Sequence, residues 1–204
     1  MDPNDLISRR TILIGGAAVV ATSLPLEAQG SAAGKIDFLH GEAFAEGANL
    51  RRALQPSADV FVGDLIETET NSGLSMHLGK ATTVKLGALA RFRIDKFVVD
   101  AGGVFDLDQG PLVVDRDENA RKERLRVRSP FGLIAVRGTM FFAGPSKGVF
   151  GVFVGRGVVI VTGGGRTVTL GGGEGTDIAK PGFPPSKPKA WGPERVTAAL
   201  ASAG

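Results

Sequence analysis

The sequence contains no cysteine and no tyrosine, and only two histidines and one tryptophan. Without cysteine there is no disulfide framework, no thiolate metal site and no cysteine nucleophile. The two imidazoles, His40 and His77, offer little for a histidine-based centre. Ser75 lies two residues from His77 on one strand face, with no third orienting group nearby in the sequence. No nucleophile elbow, paired-histidine zinc motif or phosphate-binding loop occurs. Charge of one sign is scarce as well, with a formal net charge of +3. The densest basic run, Arg121, Lys122, Arg124, Arg126 and Arg128, is half-neutralised by Asp115, Asp117, Glu118 and Glu123 and has no aromatic before Phe131. A nucleic-acid reader needs a sustained basic face with stacking aromatics, so that class is excluded.

Glycine, by contrast, is abundant, at 30 of 204 residues with 43% hydrophobic residues. Glycines set among β-branched residues favour an all-β architecture with many tight turns. From Asp59 to Asp95 short alternating runs follow one another: Val60–Val62, Leu65–Thr68, Leu74–Leu78, Thr83–Leu86 and Arg91–Ile94. Turn-forming Gly63-Asp64, Asn71-Ser72-Gly73 and Gly79-Lys80 separate them. Leu74, Met76 and Leu78 fall on one strand face and Ser75 and His77 on the other; Phe92 and Ile94 repeat this pattern. Two further strands in 104–114 are split at Gln109-Gly110-Pro111, and more strands run from Leu125 to Ile178. Lys35 to Leu54 reads as a first strand and a loop. Strands at this spacing predict a sandwich-like or solenoid-like domain.

The two ends differ in character. Residues 1–33 read as an export signal: Arg9 and Arg10 stand directly before the apolar run Ile12 to Leu26, and small residues follow. The twin arginines resemble a twin-arginine translocation signal. The run is short for a spanning helix of ~20 residues, and only if it stays uncleaved would it hold the chain at the inner membrane. The expected location is periplasmic. The predicted division is 1–33 signal, 34–58 strand and loop, 59–179 β domain, and 180–204 a proline-rich tail with a short helix from Glu194 to Ala203. Pro193 can open that helix, and Val196, Ala199 and Leu200 form its apolar stripe.

Particular residues carry a family resemblance. Gly63-Asp64-Leu65-Ile66-Glu67-Thr68 followed by Ser72 to Leu78, then Ser129-Pro130-Phe131-Gly132 through Val136-Arg137-Gly138-Thr139-Met140-Phe141, then Val152 to Val154, Gly157 to Val159 and Val168 to Gly173, resemble the FecR domain over about 60 to 178. The resemblance implies an all-β periplasmic domain acting by contact. Regulators of that family relay a signal from an outer-membrane receptor to a sigma factor. This chain departs from them in having about ten residues before its apolar segment, too few for a sigma-binding region, and in placing Arg156 where an acidic residue often precedes the glycine.

Each chemical motif meets a structural alternative. Arg137, Gly138 and Thr139 could contact a ligand, but a strand corner explains them better. Gly172–Asp177 matches one unit of a calcium-binding repeat that works only in stacked copies, so a glycine-rich hairpin turn is expected. Asp115 to Asn119 starts like an EF-hand loop, but Ala120 and Arg126 replace its glycine and its glutamate. Asp106 and Asp108 could serve as a hydrolase carboxylate pair. No cofactor is expected. The sequence favours a non-enzymatic module that binds an envelope protein, such as a membrane sensor or an outer-membrane receptor. A glycan-binding or structural envelope protein is the alternative, and a carboxylate hydrolase the third.

Overall fold

Alternation of apolar and polar residues at period two gives strands with one buried face, and here nearly every run does so. The structure, a computed structural model, describes residues 30–48, 50–98, 102–117 and 125–204, with the Arg137 side chain outside the described residues. The export segment with Arg9 and Arg10 also lies outside them. The described residues are all-β with one short helix.

In chain order the strands are β1 (Ala32–His40), β2 (Ala43–Gly47), β3 (Leu50–Ala53), β4 (Asp59–Phe61), β5 (Leu65–Thr68) and β6 (Gly73–Leu78). Next come β7 (Thr82–Leu86), β8 (Arg91–Val98), β9 (Gly102–Gln109), β10 (Leu112–Arg116) and β11 (Leu125–Ser129). The long β12 (Gly132–Ser146) and β13 (Val149–Gly163) follow, then β14 (Arg166–Leu170), β15 (Glu174–Ile178), β16 (Lys189–Ala190) and the helix α1 (Pro193–Ser202).

The hairpin β12–β13 organises the rest. One edge of β12 pairs first with β11, over Gly132 to Val136, and then with β10, over Met140 to Ala143. The outer edge of β13 is divided in the same way, between β15 over Phe150 to Phe153 and β14 over Val159 to Gly163. The sheet therefore has two wings joined through this hairpin. Wing I runs β3-β2-β5-β8-β9-β11 to the first half of β12, and wing II runs β4-β1-β6-β7-β10 to the second half. Apart from the hairpins β2–β3, β6–β7 and β8–β9, the chain crosses between wings at each turn from β1 to β11, which gives the architecture its sandwich-like and solenoid-like character. The inward residues of both wings, among them Ile66, Phe92, Phe105, Val127 and Ile134 from wing I and Ile36, Met76, Val84, Val114 and Phe141 from wing II, form one core.

Crossings between wings are pinned by polar groups. Asp64, only 2% exposed, accepts the Phe61 N–H at 2.8 Å and is bonded by both terminal nitrogens of Arg52. Further along, the Thr68 hydroxyl donates to the Gly87 carbonyl at 2.6 Å and accepts from the Ala90 N–H at 2.8 Å. These bonds satisfy groups that leaving a ladder would otherwise bury unpaired.

Two local expectations change. Lys35 to Leu54 holds three strands instead of a strand and a loop. Ala43 and Ala45 are buried against β5, and Arg51 stacks over the Phe44 ring at 4.4 Å. Alanine and arginine read as weak strand formers, and tertiary pairing overrides that propensity. Gly172–Asp177 is not a hairpin turn either. β14 and β15 do not pair with each other but follow one another along β13, and the Gly173 N–H donates to the Val154 carbonyl at 2.8 Å between them.

Candidate functional site

The strongest sequence motif falls at the junction of the wings. In β12 the inward residues are Ile134 and Val136 before the junction and Phe141 and Ala143 after it. In β13 they are Val152 and Val154 before, and Val159 and Val161 after. Buried positions thus change parity within 137–140 and again within 155–158, where the ladder register also shifts. A bulge does this: one extra residue flips the alternation and bends the strand. Arg137-Gly138-Thr139 and the facing Gly155-Arg156-Gly157 are the two bulges. Gly138 and Gly157 both have positive φ, +57° and +86°. A Cβ at Gly157 would lie 2.4 Å from Thr139 Cγ2 and 2.6 Å from the Gly138 carbonyl oxygen, whereas one at Gly138 would meet nothing within 4 Å. Thr139 is fully buried beneath this contact, and its hydroxyl has no hydrogen-bond partner among the described residues. The Arg137 backbone pairs with Val158.

Sequence reasoning singled out Arg156 as a departure but not for its role. Its guanidinium reaches the Arg116 carbonyl at 3.1 Å and Asp115 Oδ1 at 2.8 Å, tying the β13 bulge to β10. It also forms a wall of an open cleft of about 460 Å³ lined by His77, Lys80, Thr83, Asp115 and Asp117. There the imidazole of His77 does not pair with Ser75; its Nδ1 lies 2.5 Å from Asp37 Oδ1 on β1.

Two surfaces flank the junction. On the outer face of wing I, Arg128 binds Asp106 through Nε at 2.5 Å and Nη2 at 2.8 Å and also reaches Asp95 at 2.9 Å. Its hydrogen bond to Asp106, with the charges of both carboxylates, holds the guanidinium above its usual pKa despite some desolvation. Arg91 bridges Glu67 at 3.2 Å and Asp108 at 3.3 Å. Asp106 and Asp108 are therefore engaged by separate arginines. Beside this ladder the same face turns apolar. Leu133, Val158 and Ile160 are 37%, 48% and 43% exposed, large values for aliphatics in mid-strand.

The outer face of wing II is covered by the tail. Trp191 lies where Gly151 and Gly175 leave room; a Cβ at either would come within 2.7 Å of the indole. Phe142, Phe153, Val113 and Ala199 complete this second apolar cluster. Arg195 stacks over Trp191, 3.6 Å from the ring centroid, and its Nη2 donates to Asp177 Oδ1 at 2.6 Å. Lys189 reaches the same carboxylate at 2.8 Å. Burial alone would push the Asp177 carboxyl upward, but the hydrogen bonds and charges of Arg195 and Lys189 outweigh it and hold its pKa below the usual carboxylate value. A depressed folded-state pKa adds stability that is complete above the unfolded value of about 4 and is lost as pH falls through the folded one. The thermal unfolding midpoint of the native chain is accordingly expected to fall on acidification below about pH 4, and Asp177→Asn to flatten that part of the profile. Phe183, the other aromatic of the tail, stays 52% exposed.

Among the described residues no cluster of three or more histidine, cysteine or acidic side chains is placed to hold a metal, and no helix is long and apolar enough to cross a membrane.

Comparison with solved structures gives a candidate anti-sigma factor from Parabacteroides distasonis ATCC 8503, seen in two crystal structures at 1.65 Å and 2.50 Å resolution. Each matches with a TM-score of 0.56 and 19% sequence identity over 67% of this chain, and over 64% and 63% of the other chain. At that identity the likeness establishes a shared fold, and the match spans somewhat less than two thirds of that protein's length. Comparison with curated protein sequences gives no match. Residues 64–160 match the family described as FecR protein, from the buried Asp64 through the junction to Ile160. Through that segment, just under half of the chain, the protein is similar to the FecR family.

Proposed function

We propose that this chain is a non-catalytic signalling module of the cell envelope, working in the periplasm by contact with a protein partner. The observation that carries this reading is the outer face of wing I, where exposed Leu133, Val158 and Ile160 adjoin a rim of arginine–carboxylate pairs. An apolar centre with a polar rim is the anatomy of a protein interface. The FecR match supports the signalling role, and the P. distasonis protein of like fold is described as a regulator. Arg9 and Arg10, ahead of an apolar run, support export by the twin-arginine route.

Capture from an envelope extract by the full-length chain tests the reading. The native chain should retain a discrete membrane sensor or outer-membrane receptor through a high-salt wash. Val158→Glu, which puts a charge in the centre of the face, should cut retention by at least about tenfold, the effect of losing roughly 1.4 kcal/mol. Circular dichroism would confirm that the variant is folded. Retention unaffected by Val158→Glu would overturn the assignment to this face.

The polar cleft favours a second reading, an envelope glycan ligand. Its lining of Lys80, Thr83, Asp115 and Asp117 suits a polyhydroxylated molecule better than an apolar one. Binding of purified peptidoglycan that falls with Lys80→Ala but not with Val158→Glu would favour it.

A further inference from the structure

We infer that the edge strand β14 pairs with the β14 of a second copy, joining wing I of two chains into one continuous sheet. Among the described strands β14 pairs with β13 alone, and its residues Arg166, Thr167 and Thr169 are exposed. An open edge is normally blunted by charge. The other edges of the described sheet follow that rule, with Arg51 and Arg52 on β3, Asp59 on β4 and Lys189 on β16. β14 reads Arg-Thr-Val-Thr-Leu. Its only charge, Arg166, sits at the turn end, where its Nη1 donates to the Pro185 carbonyl at 3.2 Å. Nothing charged stands in the middle of the strand to repel another one.

The register identifies the occupant. The loop between β13 and β14 is the two-residue Gly164-Gly165, so Gly163 and Arg166 form a hydrogen-bonded pair, as do Val161 with Val168 and Val159 with Leu170. The N–H and C=O groups of Thr167 and Thr169 then point outward. A two-fold axis at Val168 sets Thr167 opposite Thr169 of the second copy and Thr169 opposite its Thr167. Four backbone hydrogen bonds close, and all four outward groups of each copy are satisfied. Threonine faces threonine, a favourable cross-strand pair. Arg166 faces Leu170, so no like charges meet. Val168, only partly buried at the rim of the core, meets its own copy as a close non-hydrogen-bonded pair. This is the self-complementary arrangement an isologous dimer requires. The inference is independent of the partner-binding role of the face, which the dimer would display twice.

The absence of cysteine makes the test direct. In the full-length chain, Val168→Cys places one thiol on the axis, and mild oxidation should give a covalent dimer. Arg51→Cys, on the charged edge β3, should give no covalent dimer at equal concentration. Sedimentation should give twice the chain mass for the native protein. Thr169→Pro removes an outward N–H without touching the inner ladder, and should weaken the dimer by at least about tenfold while leaving the circular dichroism spectrum unchanged. Its capture of an envelope partner should persist, while Val158→Glu should lose capture and still dimerise. A native chain that stays monomeric, a dimer indifferent to Thr169→Pro, or a Val168→Cys chain that cross-links to a different envelope protein instead of to itself would each overturn the inference.

Discussion

Replacing Gly157 with alanine is expected to destabilise the fold far more than replacing Gly138, although Gly138 belongs to the more recognisable motif. Both glycines occupy left-handed backbone, which costs an L-residue about 1–2 kcal/mol. For Gly138 that is the whole penalty, because the space around its absent Cβ is empty. For Gly157 the new methyl would press on Thr139 Cγ2 and on the Gly138 carbonyl, neither of which lies at the free end of a flexible side chain. Overpacking of this kind adds about 1–3 kcal/mol, for a total of about 2–5 kcal/mol. Urea unfolding of the two variants should show a small shift in midpoint for Gly138→Ala and a large one for Gly157→Ala. Equal shifts would mean that the two bulges do not lock against each other.

Trp191→Ala is expected to cost about 3–5 kcal/mol, the range for deleting a buried aromatic. The effect should also be local. The indole fills the ground left bare by Gly151 and Gly175 and supports the Arg195–Asp177 pair, so its loss should release α1 from the outer face of wing II. Val113, Phe142 and Phe153 would then face water. Limited proteolysis should cut the variant within 180–204 well before the native chain, while the β domain stays resistant. As the sole tryptophan, Trp191 also makes the native fluorescence a direct report on this latch. If the tail is no more sensitive in the variant, the latch does not hold it.

Local alternation made the all-β class, the inward set Leu74, Met76 and Leu78, and the pair Phe92 and Ile94 legible in the sequence, because a period of two is written residue by residue. Long-range complementarity was less accessible. The need for glycine at 157 arises only when β12 and β13 are in register and Thr139 lies beneath it. Gly151 and Gly175 accommodate an indole that is remote from both in the chain. Asp64 read as a turn residue, yet it is a buried carboxylate held by Arg52, which becomes apparent only once the chain crosses between wings there. Arg156 stood out as a departure from the family pattern, but its bond to the Arg116 carbonyl depends on β10 lying beside the bulge. On the contact face, nothing local sets Leu133, Val158 and Ile160 apart from the apolar residues beside them in the sequence. Only the parity change at the junction turns Val158 and Ile160 outward.

That parity change leads to the central claim, that the chain works by protein contact through the outer face of wing I. Thiol labelling in the cysteine-free chain measures this most directly. Val158→Cys and Lys80→Cys would each be exposed to a maleimide in the presence and absence of envelope extract, one reporting on the face and the other on the polar cleft. The account predicts that extract protects Val158→Cys and leaves Lys80→Cys reactive. Protection of Lys80→Cys with Val158→Cys still freely labelled would contradict it and shift the site of action to the cleft.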